Sequence, residues 1–305
     1  MLKIFSTIPR LAKMSTSQKS RGRKRQAAAV HSKKTAKQPK LEAENDIETE
    51  SKYFVKSLPK PEDNCTTRGH KTKDDVNPSF PSPLKTERIN EQAFYDKPCL
   101  DLAKDIIGKL LVRRLDSGER VSGLIVETEA YTGSDDIASH SYKGKTERNT
   151  AMFMDPGTAY VYFIYGSYSC MNISSRGDGA AVLLRALAPV EGVATMRMLR
   201  NKKGKAQAKP TPVKDLCNGP SKFCMALDIT KAAINKLDMM TSNDIWLEEG
   251  VEVKDSDIVT STRIGIDGAG KEAAAKPWRF YLQGNDSVSK RDKKAEESTS
   301  KKKLK

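Results

Sequence analysis

The sequence predicts an α+β fold, with one compact domain flanked by disordered basic tails. Three observations carry that prediction. Strong hairpin signals recur between residues 110 and 187. Helical stretches are interspersed among them without the strand–helix–strand alternation of a parallel sheet. Charge is segregated as well. The 305 residues sum to +15, of which residues 1–41 contribute +12, residues 42–89 contribute −2, residues 290–305 contribute +5 and residues 90–289 nothing. The basic character therefore belongs to the ends. Residues 1–89 are rich in Lys, Ser, Thr and Pro and cannot bury enough apolar surface to offset the entropy of ordering, so they read as disordered. The expected organisation is a tail over 1–89, a domain over 90–289 and a lysine-rich disordered tail over 290–305.

The elements follow in order. Pro98 opens a segment, 100–111, in which Leu102, Ala103, Ile106, Ile107 and Leu110 recur at helical spacing. Strand-like runs over 110–115 and 121–128 flank Asp116-Ser117-Gly118-Glu119, a hairpin signal. A polar loop follows from 132 to 150 with His140 near its middle, and Asp155-Pro156-Gly157 is a turn. Runs over 159–165 and 168–174 are separated by Gly166-Ser167, a two-residue hairpin signal. A strand over 182–187, a helix over 190–200 and a basic loop over 201–213 come next. Asn218-Gly219-Pro220-Ser221 caps a helix reaching 227. Strand-like pieces over 245–247, 258–264 and 279–282 close the domain.

Composition excludes several classes. No apolar run reaches the ~18 residues of a membrane helix. Five cysteines, at 65, 99, 170, 217 and 224, form no CxxC pair, which argues for reduced thiols and against a zinc ribbon or disulfide scaffold. His140 is the sole histidine between residues 90 and 289, which excludes a multi-histidine metal centre. No cofactor and no metal are expected. Arg21-Gly22-Arg23-Lys24-Arg25 with Lys33-Lys34 reads as a nuclear-localisation or nucleic-acid patch. Residues 1–14 faintly resemble a mitochondrial transit peptide, interrupted by Pro9, and Met14 offers a start that omits it. The expected location is the nucleus, with a mitochondrial form if the first methionine is used.

Two stretches stand out chemically. In Ile125-Val126-Glu127-Thr128-Glu129-Ala130-Tyr131, strand alternation puts Ile125, Glu127, Glu129 and Tyr131 on one face. Two carboxylates beside an aromatic fit either a solvated strand face or a site that positions water or a proton. The hairpin over 160–174 carries Tyr160, Tyr162, Phe163, Tyr165 and Tyr168. Tyr160 and Phe163 read as core, whereas Tyr165 and Tyr168 flank the tip. Tip aromatics contact a neighbouring element or are offered to a partner, and nucleic acid is a natural one because a ring can replace a base in the stack. Lys202, Lys203, Lys205, Lys209 and Lys214 either track phosphates or form a solvated loop.

A series of motifs now accumulates. After the segment 125–131 come Ala138-Ser139-His140-Ser141, Thr146-Glu147-Arg148-Asn149 and Met152-Phe153-Met154-Asp155-Pro156-Gly157-Thr158. Then follow Tyr160-Val161-Tyr162, Tyr165-Gly166, Cys170-Met171-Asn172-Ile173-Ser174, Val182-Leu183-Leu184-Arg185-Ala186 and Gly219-Pro220-Ser221-Lys222. In order and spacing, over about residues 94–282, they resemble the alkyladenine (methylpurine) DNA glycosylase family. Each motif alone is weak; the series is specific.

The resemblance implies a compact mixed α/β domain with a curved antiparallel sheet and a protruding hairpin. It implies a monofunctional glycosylase, a monomer acting on double-stranded DNA with damaged purines and handing over to downstream repair proteins, with no membrane association. Glu129 matches the carboxylate that activates water, and Glu127 is a structural neighbour. Tyr131 and His140 match one side of the pocket for the flipped purine and Tyr162 its other face. Asn172 matches the residue that crowds guanine's amino group. Tyr165 matches the tyrosine that fills the vacated stack, with Tyr168 beside it, and Arg185 matches a basic residue at the reacting centre. No lysine matches a nucleophile, so strand cleavage is not implied. The tip departs from the pattern, because Ser167 stands where a large apolar residue is common. The rival class, a catalytically silent DNA- or RNA-binding protein, has no need of Glu129, Tyr162 and Asn172 together.

Overall fold

The computed structural model describes residues 84–201 and 209–303. The tail signals over 1–41, and Lys202, Lys203 and Lys205 of the basic loop, lie outside the described residues. Nine strands build one sheet. They are β1 (Lys85–Arg88), β2 (Leu110–Arg114), β3 (Arg120–Tyr131), β4 (Ala159–Ile164), β5 (Tyr168–Ser174), β6 (Ala181–Glu191), β7 (Ile245–Gly250), β8 (Ile258–Ser261) and β9 (Arg279–Leu282). The order is β1-β7-β2-β3-β6-β5-β4, with β9 joined to β3 and β8 to β9. Every pairing is antiparallel. The helices are α1 (Gln92–Tyr95), α2 (Cys99–Asp105), α3 (Val193–Asn201), α4 (Val213–Leu216), α5 (Pro220–Ala226), α6 (Lys231–Ile234), α7 (Lys271–Ala275) and α8 (Lys293–Lys303). The α+β expectation therefore stands.

Burial on both faces explains why the sheet reads as nearly continuous apolar runs. One face packs Leu102, Ile106, Ile125, Leu184, Leu187 and Phe223 into the larger cluster. The other packs Leu110, Val112, Leu124, Val126, Ala186, Trp246 and Tyr281. Strand β3 organises both. Its first half pairs with β2, Glu127–Glu129 pair with β9, and β6 runs along nearly its whole length.

Element limits moved where tertiary pairing decided them. Leu110 and Leu111 fit helical spacing, yet they lie in β2, which gains partners on both sides from β3 and β7. Strand β6 runs on to Glu191 before Gly192 breaks it at φ +74, so the helix expected from 190 begins at Val193. A Cβ on Gly192 would stand 2.5 Å from Val121 Cγ1, so the turn needs glycine.

The expected boundaries shift outward at both ends. Strand β1 precedes residue 90 and pairs with β7, and Arg88 Nη2 donates to Ser242 O at 2.6 Å. At the other end Lys293–Lys303 is a helix, not a disordered tail. Asp292 accepts from Ala295 N–H at its start, Gln283 Nε2 donates to Ser300 Oγ at 2.8 Å, and Lys303 pairs with Asp257 at 2.7 Å. This helix is held by caps and polar contacts, which leave no apolar periodicity to read.

Candidate active site

A pair of bulges aims the charged side chains. Ile125 pairs with Leu187, Glu127 with Ala186 and Thr128 with Leu184, so Val126 is extra on β3 and Arg185 is extra on β6. Each insertion shifts the strand's parity by one. Val126 and Ala186 lie in the smaller apolar cluster, on the face that also carries Glu127 and Arg185, while Ile125 faces the larger cluster. The expectation that Ile125 shares a face with Glu127 and Glu129 is thus corrected. Tyr131 does share it, since its hydroxyl donates to Glu129 Oε2 at 3.0 Å.

Both glutamates are fully buried, which settles the solvated-face alternative against it. Glu129 Oε1 accepts from Ile264 N–H at 2.7 Å and lies 3.2 Å from Arg185 Nη1. Glu127 is held by Arg279 Nη1 at 2.8 Å and Arg185 Nε at 3.3 Å. Burial raises the Glu129 carboxyl above the ordinary value; the Arg185 charge, the Ile264 amide and the Tyr131 hydroxyl pull it back.

In front of this pair lies a cavity of about 320 Å³, lined among others by Tyr131, His140, Tyr162, Asn172 and Arg185. The sequence candidates therefore converge. Their arrangement differs from the expected sandwich in one respect. The His140 and Tyr162 rings meet edge to face with centroids 4.6 Å apart, leaving no room for a base between them. They form a single wall, and Tyr131 stands elsewhere on the lining. Asn172 Nδ2 donates to Tyr160 O at 3.1 Å, which fixes its orientation in the cavity.

Several contributors escaped the sequence reading. Tyr160, read as core, is indeed buried, but it lines the cavity and its hydroxyl lies 3.0 Å from His140 Nδ1. The Arg148 guanidinium stands 5.8 Å from the Tyr162 ring. Burial, and then Arg148, push the His140 imidazole below its ordinary value, so it is neutral at neutral pH. The strand expected over 258–264 is shorter, because β8 stops at Ser261, and Ile264 lines the cavity with Gly265 and Ile266 instead. Arg263 fastens that stretch by a fully buried ion pair with Asp136 and a 3.0 Å bond to Ala130 O. No solitary charge in a polar loop announces such a pair; only the fold brings it together.

The loop bearing His140 is fixed by its own short polar side chains. Ser141 Oγ donates to Gly179 O at 2.6 Å, and Asn149 Nδ2 donates to His140 O at 2.9 Å and Gly144 O at 3.0 Å. At the edge of the cavity the β4–β5 hairpin ends in Tyr165, 91% exposed, with Tyr168 half-exposed on the opposite strand. The tip takes in three residues, because Ile164 pairs with Tyr168. Tyr165 and Gly166 have φ of +48 and +74. A left-handed tyrosine costs about 1–2 kcal/mol, and the turn that holds it points the Tyr165 ring out to solvent. Among the described residues no three His, Cys, Asp or Glu side chains converge on a metal-sized site.

A model of the methylpurine-DNA glycosylase family matches residues 93–286. The chain is 50% identical over 210 residues to the DNA-3-methyladenine glycosylase of Homo sapiens, covering 68% of this chain and 70% of that protein. It is 49% identical over 208 residues to the Mus musculus protein of the same name, covering 67% and 62%. Against that of Rattus norvegicus the identity is 48% over 206 residues, covering 67% and 64%, so the chain spans less than two thirds of the two rodent relatives. A match over more than half the chain, together with relatives of half-identical sequence, decides the family: the chain belongs to the methylpurine-DNA glycosylases, DNA N-glycosylases for alkylated bases.

Proposed function

We propose that the protein hydrolyses the N-glycosidic bond of damaged purines, whether alkylated, deaminated or etheno-modified, after flipping them from duplex DNA. The observation that carries this is a buried carboxylate, Glu129, paired with Arg185 behind an aromatic cavity. In the proposed step a water oxygen bonds to the anomeric carbon as Glu129 takes its proton. The bond to the purine breaks, and its electron pair leaves with the base. A cationic alkylated purine departs neutral without acid assistance, whereas a neutral deaminated or etheno purine departs as an anion that takes up a proton from solvent water. Glu129 also faces the positive charge that develops on the sugar. A carboxyl whose proton affinity is raised toward neutrality suits a general base.

A neutral His140 beside Tyr162 and Tyr160 gives the cationic base a wall without charge repulsion. Stacking reads no hydrogen-bond code, because every purine has a π-face, and so it suits a broad lesion range. The reaction opens base-excision repair in the nucleus, and in mitochondria if the first methionine is used, by a protein acting as a monomer that hands its abasic product to other repair proteins. The test is incubation of the full chain with a duplex bearing one ethenoadenine or hypoxanthine, then alkali. Strand scission at the lesion is the expected result, and an intact strand overturns the proposal.

Two expected results arise here. Tyr165→Ala removes the exposed ring that refills the vacated stack, and unstacking costs a few kcal/mol. Excision from a fully paired lesion is expected to fall more than excision from a mismatched or single-stranded one. Equal losses on both would make Tyr165 a packing residue. Asn172→Ala removes the side chain that crowds a guanine amino group, so release of guanine-type lesions is expected to rise while adenine-type lesions are still processed. Mass-spectrometric analysis of the released bases checks this, and an unchanged spectrum places the filter elsewhere.

A further inference from the structure

Two carboxylates compete for Arg185. Glu129 Oε1 lies 3.2 Å from its Nη1, and Glu127 Oε1 lies 3.3 Å from its Nε. Glu127 has two further partners, both tied to the C-terminal segment of the described residues. Arg279 Nη1 stands 2.8 Å from Oε1, and Ser289 N–H donates to Oε2 at 2.7 Å. Arg279 also donates to Lys290 O at 2.8 Å and to Ser261 Oγ at 3.1 Å. Residues 287–303 form a strap that is pinned on either side of these bonds. Val288 is buried in the smaller apolar cluster, and Asp292, at the start of α8, accepts from Ser261 Oγ at 2.6 Å. All of the strap lies past residue 286, the last residue that the family model matches.

We infer that Ser289 and Arg279 are positioning residues for the hydrolysis: by satisfying Glu127 they leave Arg185 to Glu129, so the strap over 287–303 sets the geometry of the reacting carboxylate. The inference rests on the reading of Glu129 as the general base. Without the Ser289 amide, a buried carboxylate oxygen loses its donor; Arg279 stays bound to Lys290 O and Ser261 Oγ, and Arg185, shared with Glu129, is the cation free to shift toward it. The guanidinium is then drawn toward Glu127 and away from Glu129. Losing a neighbouring positive charge raises the proton affinity of Glu129, so it is protonated up to a higher pH. The other charged or titratable groups around Glu129 stay in place. These are Tyr131 on its own strand, Tyr162 on β4, Cys170 on β5, and Arg263 over the Tyr131 ring with its partner Asp136.

The experiment compares Ser289→Pro, which deletes the N–H on Glu127 together with the hydroxyl that accepts from Arg185 Nη2 at 3.5 Å, Ser289→Ala, which deletes that hydroxyl alone, and Arg279→Lys, which keeps a charge but loses the guanidinium fork. Single-turnover excision of a single lesion is followed across the acidic and neutral range, with lesion-duplex affinity and thermal unfolding measured alongside. The expected result for Ser289→Pro and Arg279→Lys is a rate at neutral pH lower by roughly tenfold or more. Affinity stays within about twofold. The acidic limb moves to higher pH, so that raising the pH restores part of the rate. A merely structural role lowers the melting temperature and leaves the limb where it is. Folded Ser289→Pro and Arg279→Lys variants with the wild-type rate and limb overturn the inference, as does a Ser289→Ala limb that moves as far as that of Ser289→Pro; Arg279→Lys decides alone if Ser289→Pro does not fold. Glu129→Gln runs beside them. If it excises like wild type, the reading of Glu129 fails and the inference with it; if it is inactive while the strap variants keep the wild-type limb, the inference alone fails.

Discussion

Glu129→Gln is expected to lower single-turnover excision at least ~10²-fold while lesion-DNA affinity stays unchanged or tightens slightly. The amide has the size and shape of the carboxylate, and its hydrogen bonds can be kept. Its oxygen can accept from Ile264 N–H and face Arg185, as Oε1 does, while its NH₂ turns toward Tyr131, whose hydroxyl oxygen then accepts. Tyr131, His140, Tyr160 and Tyr162 keep their places. Two things are lost: the capacity to take the water's proton, and the negative charge opposite the developing oxocarbenium. Each acts in the transition state and neither in ground-state binding, so the loss falls on the rate. The charge balance supports a tighter ground-state complex for neutral lesions, because the buried group no longer has to stay ionised. A variant that binds and excises like wild type sinks the assignment.

The same carboxylate gives the expected pH dependence. Burial holds the Glu129 carboxyl above its ordinary value, so the base form is lost as pH falls through that raised value rather than near 4.5. The acidic limb of excision by the wild-type chain is therefore expected above pH 4.5, and a limb at or below it would place the base on a better-solvated carboxylate.

How far the sequence reached differs between residues for physical reasons. The hairpin β4–β5 was legible because aromatic and β-branched runs around a glycine have few other local solutions. The convergence of Glu129, Tyr131, His140, Tyr162, Asn172 and Arg185 was legible only through the resemblance; alternation alone left Glu127 and Glu129 on either a wet face or a site. Alternation also put Ile125 on the wrong side, since a bulge depends on the partner strand and leaves no mark in β3 itself. Helix α8 was hidden because lysines dominate its composition while Asp292, Glu296 and Ser300 supply its contacts. The Arg263–Asp136 pair joins residues 127 apart in the chain, and no local pattern encodes it.

That pair supports the largest stability prediction. Asp136→Ala is expected to destabilise the domain by about 3–5 kcal/mol, the usual cost of leaving one partner of a buried ion pair alone. Both side chains are fully buried. The Arg263 guanidinium lies between the rings of Tyr131 at 4.7 Å and Trp278 at 4.9 Å, and its Nε, also buried, already lacks a hydrogen-bond partner. Without Asp136, Ala130 O is the one hydrogen-bond acceptor left to it among the described contacts. The charge cannot be shed, because guanidinium does not deprotonate in proteins. For a domain of this size the loss amounts to a fall in melting temperature of roughly 10 °C. Adding Arg263→Met is expected to restore much of it, since a buried pair replaced by apolar side chains of similar volume is close to neutral. The consequence reaches the site, because Arg263 immediately precedes Ile264, whose amide holds Glu129, and Asp136 lies in the loop that carries His140. Thermal unfolding of the two single variants and the double variant decides the matter: a melting temperature for Asp136→Ala within about 2 °C of wild type would mean that the pair contributes nothing the surrounding rings do not already supply.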